Sequence, residues 1–485
     1  MMTDNMRSSD AGRPVIVWFR DDLRLSDNPA LRAAVQSGRP IVCVFAYDEK
    51  FEGLRPLGSA ARWWLHGSLQ NLHELLTKRG GYLSIHMGSG QTVVPKLAEK
   101  YGAAAVFWNR RYGAAECRID EAVKSALKAQ EIEVRSFNGH LLYEPWSIKS
   151  RSGGHFRVFS AFWRAAHELG EPGSPLPAPR RLRFYEAEQT QTELSDLALE
   201  PYSPDWAGGM RSSWRRGETG AQAQLECFLK EHIDDYANFR DRPDRQATSR
   251  MSPYLRFGNI SARQVWHAAA AAINETGCST AHRNLEKFRS ELGWREFSYH
   301  LLYHNPDLAT RNLQGRFDAM PWRDDTSALR AWQAGETGYP IVDAGMRELW
   351  NTGWMHNRVR MVVASFLVKH LLIDWRQGES WFWDTLVDAD PANNAASWQW
   401  VAGSGADAAP YFRIFNPVLQ GEKFDPDGTY VKRWLPELAK LSASVIHRPW
   451  QLADKVAAYP ERIVEHDQAR RRALSAYKNL SCLVT

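Results

Sequence analysis

Cysteine is scarce: Cys43, Cys117, Cys227, Cys278 and Cys482 are the only five in 485 residues. They are far apart, odd in number and form no CxxC pair. That excludes a disulfide framework and a zinc knuckle, and it points to a reduced, cytoplasmic setting. Long apolar runs are also missing. The stretch 361–368, interrupted only by Ser365, falls far short of the ~20 residues needed to cross a bilayer, so no membrane partner is expected. The opening MMTDNMRSSDAGRP is polar and lacks the apolar core of a secretory signal. Charge of one sign is not dominant: 61 Lys and Arg against 56 Asp and Glu leave +5, which permits a polyanionic partner without requiring one. With 44% apolar and 24% charged residues, the composition excludes long-range disorder and collagen-like repeats. No internal repeat is evident.

Tryptophan is what the chain has in excess. Its 21 residues outnumber 16 Tyr and 20 Phe, and twelve lie beyond residue 290. Packing explains such a count without further assumption, because an indole buries a large area. A redox or stacking role is the sharper reading, and composition alone favours packing.

At roughly 100–200 residues per domain, the length implies two to four domains. Short apolar runs at VIVWF (15–19), IVCVF (41–45), YLSIHM (82–87), AAVFW (104–108) and IEVRSF (132–137) alternate with stretches long enough for helices. Residues 60–79 carry Trp63, Trp64, Leu65, Leu69, Leu72, Leu75 and Leu76 at helical spacing. Continuous apolar strands between helices imply a doubly wound parallel sheet, an α/β Rossmann-like domain over 1–140. No GxGxxG follows the first strand, so the usual dinucleotide fingerprint is absent there. Pro172, Pro175, Pro177, Pro179, Pro201 and Pro204 mark 141–214 as an extended linker. From about 215 to 485 the 3–4 periodicity predicts an all-α domain.

Four segments carry chemistry. Thr248, Ser249, Arg250, Met251 and Ser252 precede Pro253 and a predicted helix. Hydroxyls and backbone N–H groups there suit phosphates, and an ordinary helix cap is the simpler account. In FRSELGWREF, Phe288, Glu291, Trp294 and Arg295 share a helical face. Glu291 is either ion-paired with Arg295 or a site acid whose pKa burial raises. In TGWMHNRVRM, Trp354, Asn357, Arg358 and Met361 share a side, and Arg358 and Arg360 diverge, one free to face a partner and the other a carboxylate. In DADPANNAASWQW, Asp388 and Asp390 suit hydrogen bonding to an amide-rich ring such as an isoalloxazine, and a capped turn is the simpler account. They suit a metal poorly, with no His or further acid at ligating spacing, so no metal is expected.

Together YANFRDRPDRQATSRMSPYLRFGNIS, ELGWREF, TGYPIVDAGMRELWNTGWMHNRVRM, LLIDWRQGE, DADPANNAASWQW and DAAPYFRIFNPVLQGEKFDPDG closely resemble the DNA photolyase/cryptochrome flavoproteins, as does VWFRDDLRLSDNPAL at the start. The resemblance covers nearly the whole chain. It implies an α/β antenna domain and a helical domain that binds FAD and DNA. It implies FAD contacts at Tyr236, Thr248, Ser249, Arg250, Met251, Ser252, Phe288, Arg295, Arg360, Asp388, Ala389, Asp390 and Asn394, with Asn394 facing the flavin N5. Lesion or DNA contacts fall at Arg240, Glu291, Trp294, Asn357, Arg358, Met361, Trp400 and Gln420. Glu291 and Asn394 are the implied catalytic residues, and Trp398, Trp375 and Trp322 the implied electron-transfer chain.

The family repairs cyclobutane pyrimidine dimers, repairs (6-4) photoproducts, or senses light. The (6-4) enzymes place a histidine pair over the lesion to deliver a proton. Asn357 and Met361 stand at the matching positions, and neither an amide nor a thioether is a general acid. Plant-type sensors carry an acid where Asn394 stands. The expectation is therefore light-driven repair of cyclobutane dimers in UV-damaged DNA by a flavoprotein lyase, monomeric and without an obligate protein partner; the alternative is a cryptochrome-type blue-light receptor. Asn109, Tyr112 and Glu116 in WNRRYGAAE resemble a folate-antenna pattern, with Ala115 where the family has Asn. 5,10-Methenyltetrahydrofolate is the favoured second chromophore and a deazaflavin the alternative.

Overall fold

The computed structural model describes residues 12–150, 153–186, 192–276, 280–407, 412–453 and 456–482; Cys278 and part of the DAAPYFR motif lie outside them. Five strands form one parallel sheet: β1 (Val15–Phe19), β2 (Ile41–Tyr47), β3 (Leu83–Met87), β4 (Ala105–Asn109) and β5 (Glu133–Phe137), in the order β3-β2-β1-β4-β5. Helices α1 (Pro29–Gln36), α2 (Ser59–Thr77), α3 (Gly90–Lys100) and α4 (Ala114–Ala129) make the crossovers. The inner strands β1, β2 and β4 are almost entirely apolar and buried because both faces are covered, whereas the edge strands β3 and β5 carry Ser84, His86, Glu133, Arg135 and Ser136 and are partly exposed. Ile16, Trp18, Val42, Val44, Val106 and Trp108 pack one face against α3 and α4. The strand order reverses between β1 and β4, which opens a crevice at their carboxyl ends.

The opposite face joins a core that runs out of the sheet. Val17, Phe19, Cys43 and Phe45 share a cluster with Trp64, Trp214, Tyr254, Trp266 and Phe288. The Trp64 ring meets Trp214 at 5.3 Å and Tyr254 at 4.9 Å edge-on, and its Nε1 donates to Asn259 Oδ1 at 3.0 Å. The antenna-type domain and the helical region therefore share buried rings, which accounts for part of the tryptophan excess as packing.

The proline-rich connection holds a helix, α5 (Phe159–Glu168), and the chain is helical beyond it. The helices that build the site are α6 (Ser252–Arg256), α7 (Ala281–His304), α8 (Asn357–Ser365), α9 (Trp375–Thr385), α10 (Asn393–Ala402) and α11 (Pro417–Phe424). The apolar run after Asn357 is not one α-helix, because Phe366–Leu371 continues α8 as a π-helical segment. Among the described residues no helix is long and apolar enough to cross a membrane.

Candidate flavin and DNA site

The 3.6-residue period of α7 brings Phe288, Glu291, Trp294 and Arg295 to one cavity of about 330 Å³. Opposite them stand Asn357, Arg360 and Met361 of α8, Asp388, Ala389 and Asp390 of the following turn, and Asn394 and Trp398 of α10. Tyr236, Ser249, Met251 and Ser252 close one end. Sixteen of the residues marked by the resemblance thus line one cavity, although they lie up to 162 positions apart.

Each acid is held by named donors. Arg360 grips Asp388 with two hydrogen bonds of 3.0 and 2.9 Å, a fork-to-fork pair. Asp390 Oδ1 accepts from the amides of Ala392 (2.9 Å) and Asn393 (2.7 Å) and so caps α10, and Oδ2 accepts from the Tyr299 hydroxyl at 2.7 Å. Asn394 donates Nδ2 to Glu379 Oε1 (2.8 Å) and to the Glu379 carbonyl (3.0 Å), so the amide oxygen is the part left for the cavity. The indole of Trp398 is 2% exposed and its Nε1 has no protein partner. Gly378 lets α9 approach it, since a Cβ there would stand 2.2 Å from Trp398 Cη2.

Other expectations are corrected. Glu291 does not pair with Arg295 and is not a buried acid: its side chain is 30% exposed and bonded to Arg240. Arg295 turns instead to Glu296 Oε1 (3.1 Å) and to the His140 carbonyl (3.1 Å). The buried acid of the segment is Glu296, pushed up to about 7 by burial against the pull of Arg295. Arg358 and Arg360 do diverge, yet both meet carboxylates, Arg358 pairing with Asp241 at 2.8 Å. Arg250 does not line the cavity. In a left-handed backbone (φ +52°) its guanidinium stacks on Trp214 at 4.1 Å and Trp354 at 5.0 Å, and burial pulls its pKa down. Thr248 also lies outside the cavity lining. The helix after this segment spans only five residues, so it offers little as an anion-binding terminus.

Trp294 stacks on Phe159 of α5 at 3.8 Å between centroids, which leaves one face for a ligand. Arg358 and Gln420 line a separate open groove with Asn416 and Lys423. Trp400 lies in neither place and donates Nε1 to the Asp407 carbonyl at 3.1 Å. Trp375 is fully buried, its Nε1 on Asn312 Oδ1 at 2.9 Å, and Trp322 is half-buried. Trp398 on the cavity wall and Trp375 are thus both deeply buried, and only Trp322 of the three reaches solvent.

Asn109 departs from its expected place. It is 3% exposed, and its Nδ2 donates to Asp22 Oδ2 (2.6 Å) and Asn28 Oδ1 (2.8 Å) inside the α/β domain, because it sits at the buried end of β4. Glu116 instead lines a smaller cavity in the β1/β4 crevice, with Trp18, Phe45, Arg111, Arg55 and Trp383. Sequence reasoning assigned no role to Glu379, Tyr299 or Arg55. Glu379 lies within the LLIDWRQGE motif, while Arg55 is 324 positions from its partner and carries no local signal.

The donor set fits a flavin nucleotide. It offers a free amide oxygen, a fixed Arg–carboxylate fork and an apolar wall of Phe288, Leu292 and Phe382. Residues 15–180 match the model described as DNA photolyase, and residues 288–479 match the FAD binding domain of DNA photolyase. The chain is 51% identical to the deoxyribodipyrimidine photo-lyase of Agrobacterium fabrum over 96% of its own length and 97% of that protein. It is 37% identical to cryptochrome-1 of Arabidopsis thaliana, covering 99% of this chain and 72% of that one. The crystal structure of a bacterial class III photolyase from Agrobacterium tumefaciens superposes with a TM-score of 0.93 at 49% identity, covering 97% of this chain and 98% of that one. The chain belongs to the DNA photolyase/cryptochrome family.

Proposed function

We propose that this protein is a light-driven lyase that splits cyclobutane pyrimidine dimers in DNA. The observation that carries the reading is the cavity wall. Glu291, Trp294, Asn357 and Met361 meet there, and none of its described lining residues is a histidine. A lesion that needs a delivered proton would find no general acid of that kind, whereas a dimer that needs only an electron fits. The amide at Asn394, in place of an acid, favours repair over a signalling role for the same flavin.

Reduced FAD, when bound and excited by blue or near-UV light, supplies the electron that opens the dimer and takes it back. The chain's residues do the rest. Arg360 holds Asp388, Asp390 caps α10, and Asn394 presents an acceptor. Trp294 offers its open face to the flipped pyrimidines. Glu291, an acceptor only, takes a hydrogen bond from the pyrimidine N–H edge once Arg240 yields it, and so orients the flipped dimer over the flavin. Arg240, Arg358 and Gln420 take the DNA backbone. Trp398, Trp375 and Trp322 relay an electron inward when the flavin is oxidised. A second chromophore, a folate in preference to a deazaflavin, is assigned to the crevice cavity, where Trp18 and Phe45 suit a planar ring and Arg111 an anionic tail. Glu116→Ala should then lower its absorption band and spare the flavin bands.

The test is dimer repair by purified, reduced protein on a dimer-containing oligonucleotide under blue light. Repair of the dimer and none of a (6-4) photoproduct is expected. Photoreduction without repair of the dimer would leave the light-receptor reading standing.

A further inference from the structure

Residues 55–59 of the α/β domain lie against α9. The Ser59 amide and hydroxyl both reach Asp384 Oδ1 at 2.8 Å, and Trp383 Nε1 donates to the Pro56 carbonyl at 2.8 Å. A Cβ on Gly58 would stand 2.0 Å from the Trp383 carbonyl oxygen, so this contact is backbone to backbone. From that seat Arg55 donates to both oxygens of Glu379, at 2.7 and 2.9 Å, while its guanidinium stacks on Trp383 at 4.1 Å. Glu379 is 4% exposed and is the acceptor for Asn394 Nδ2. An unbroken set of hydrogen bonds therefore runs from a residue of the antenna-type domain to the amide facing the flavin cavity. Arg55 also lines the crevice cavity.

We propose that Arg55 is a positioning residue for Asn394: by keeping Glu379 a charged acceptor it holds the Asn394 oxygen toward the flavin. This rests on the reading of Asn394 as the flavin-facing residue. An amide oxygen only accepts and an amide nitrogen only donates. An inward oxygen favours the reduced ring, whose N5 carries hydrogen. An inward nitrogen favours the oxidised ring, whose N5 is an acceptor. Without Arg55, Glu379 is a buried carboxylate with no counter-charge, and uptake of one proton from solvent relieves that state. The resulting acid donates to Asn394 Oδ1, and the amide turns over, giving up its second bond, from Nδ2 to the Glu379 carbonyl at 3.0 Å. No covalent bond in the protein and no electron is involved.

The test compares Arg55→Gln, Arg55→Lys, Glu379→Gln and the Arg55→Gln/Glu379→Gln double variant, each full-length, loaded with FAD and free of DNA. The two-electron midpoint potential is measured on the loaded fraction, with FAD content and Tm alongside. Arg55→Gln should move the oxidised/reduced equilibrium about tenfold toward oxidised flavin, which is about 30 mV lower for a two-electron couple. Arg55→Lys should restore most of that shift, and Arg55→Gln should add nothing in the Glu379→Gln background. An unchanged potential in Arg55→Gln, with Tm or FAD content reduced, would make Arg55 a docking contact only. The same shift in both backgrounds would show that it does not act through Glu379. Because DNA is absent, failure of repair leaves this measurement intact.

Discussion

Trp398→Phe, Trp375→Phe and Trp322→Phe should each block light-driven reduction of oxidised flavin and spare repair by chemically reduced protein. Repair moves an electron between flavin and lesion inside the cavity, whereas recovery of oxidised flavin must draw one from outside the protein. Phenyl is much harder to oxidise than indole, so the relay fails wherever a ring is exchanged. The stability costs, by contrast, should differ. Trp375 is fully buried and its Nε1 hydrogen-bonds Asn312. Its replacement leaves a gap and an unpaired acceptor, about 2–4 kcal/mol together. Trp398 is as deeply buried, but its Nε1 has no partner, so only the gap counts, about 1–2 kcal/mol. Trp322 is half-buried and should cost about 1 kcal/mol or less. A relay therefore predicts equal loss of photoreduction across the three, and pure packing predicts losses graded 375, 398, 322 that follow FAD content and Tm. The assay is flavin bleaching under blue light with a thiol donor, beside repair by dithionite-reduced protein. Normal bleaching in all three variants, or bleaching that tracks Tm, would refute the relay.

Glu291→Ala should retain FAD and lower the repair yield at saturating DNA, because the dimer loses an orienting hydrogen bond to a charged group, worth about 1.5–3 kcal/mol; an unchanged yield per photon would remove Glu291 from the reaction. Arg240→Ala and Arg358→Ala should weaken DNA binding and flatten its log–log salt dependence, each by less than about one unit, because Glu291 and Asp241 already neutralise part of each charge. Titrations from 50 to 300 mM salt decide it, and two unchanged slopes would make both arginines structural. Burial lowers Lys369 to about 7 from 10.5 in the interior, where its Nζ donates to the Arg413 carbonyl at 2.9 Å and lies over the Phe412 ring at 3.8 Å. Between those values the unfolded chain holds a proton that the folded chain has released. Stability therefore rises with pH across the window, by up to about 1.4 kcal/mol per unit, and is lost as pH falls toward 7. Urea unfolding at pH 7 and pH 9 should show that gain, and Lys369→Met should abolish it.

Much of the fold could be read from local patterns, because the forces that set it are local. Five short runs separated by helix-length stretches specify a parallel sheet, and all five became strands, the inner three buried on both faces and the edge strands partly exposed. The face of Phe288, Glu291, Trp294 and Arg295 follows from 3.6 residues per turn alone. What periodicity cannot carry is the identity of a partner distant in sequence. That Glu291 meets Arg240 rather than Arg295, that Arg250 lies between two indoles, and that Asn109 is consumed inside the α/β domain were decided by packing. So was the break of the helix after Asn357 into a π-helical segment. The link from Arg55 through Glu379 to Asn394 is the clearest case. It joins residues 324 and 15 positions apart and exists only because 55–59 is pressed against α9. Sequence determines which side chains are available and which face of its own element each one takes; burial and long-range ion pairing, which depend on how whole elements dock, decide which of them become partners.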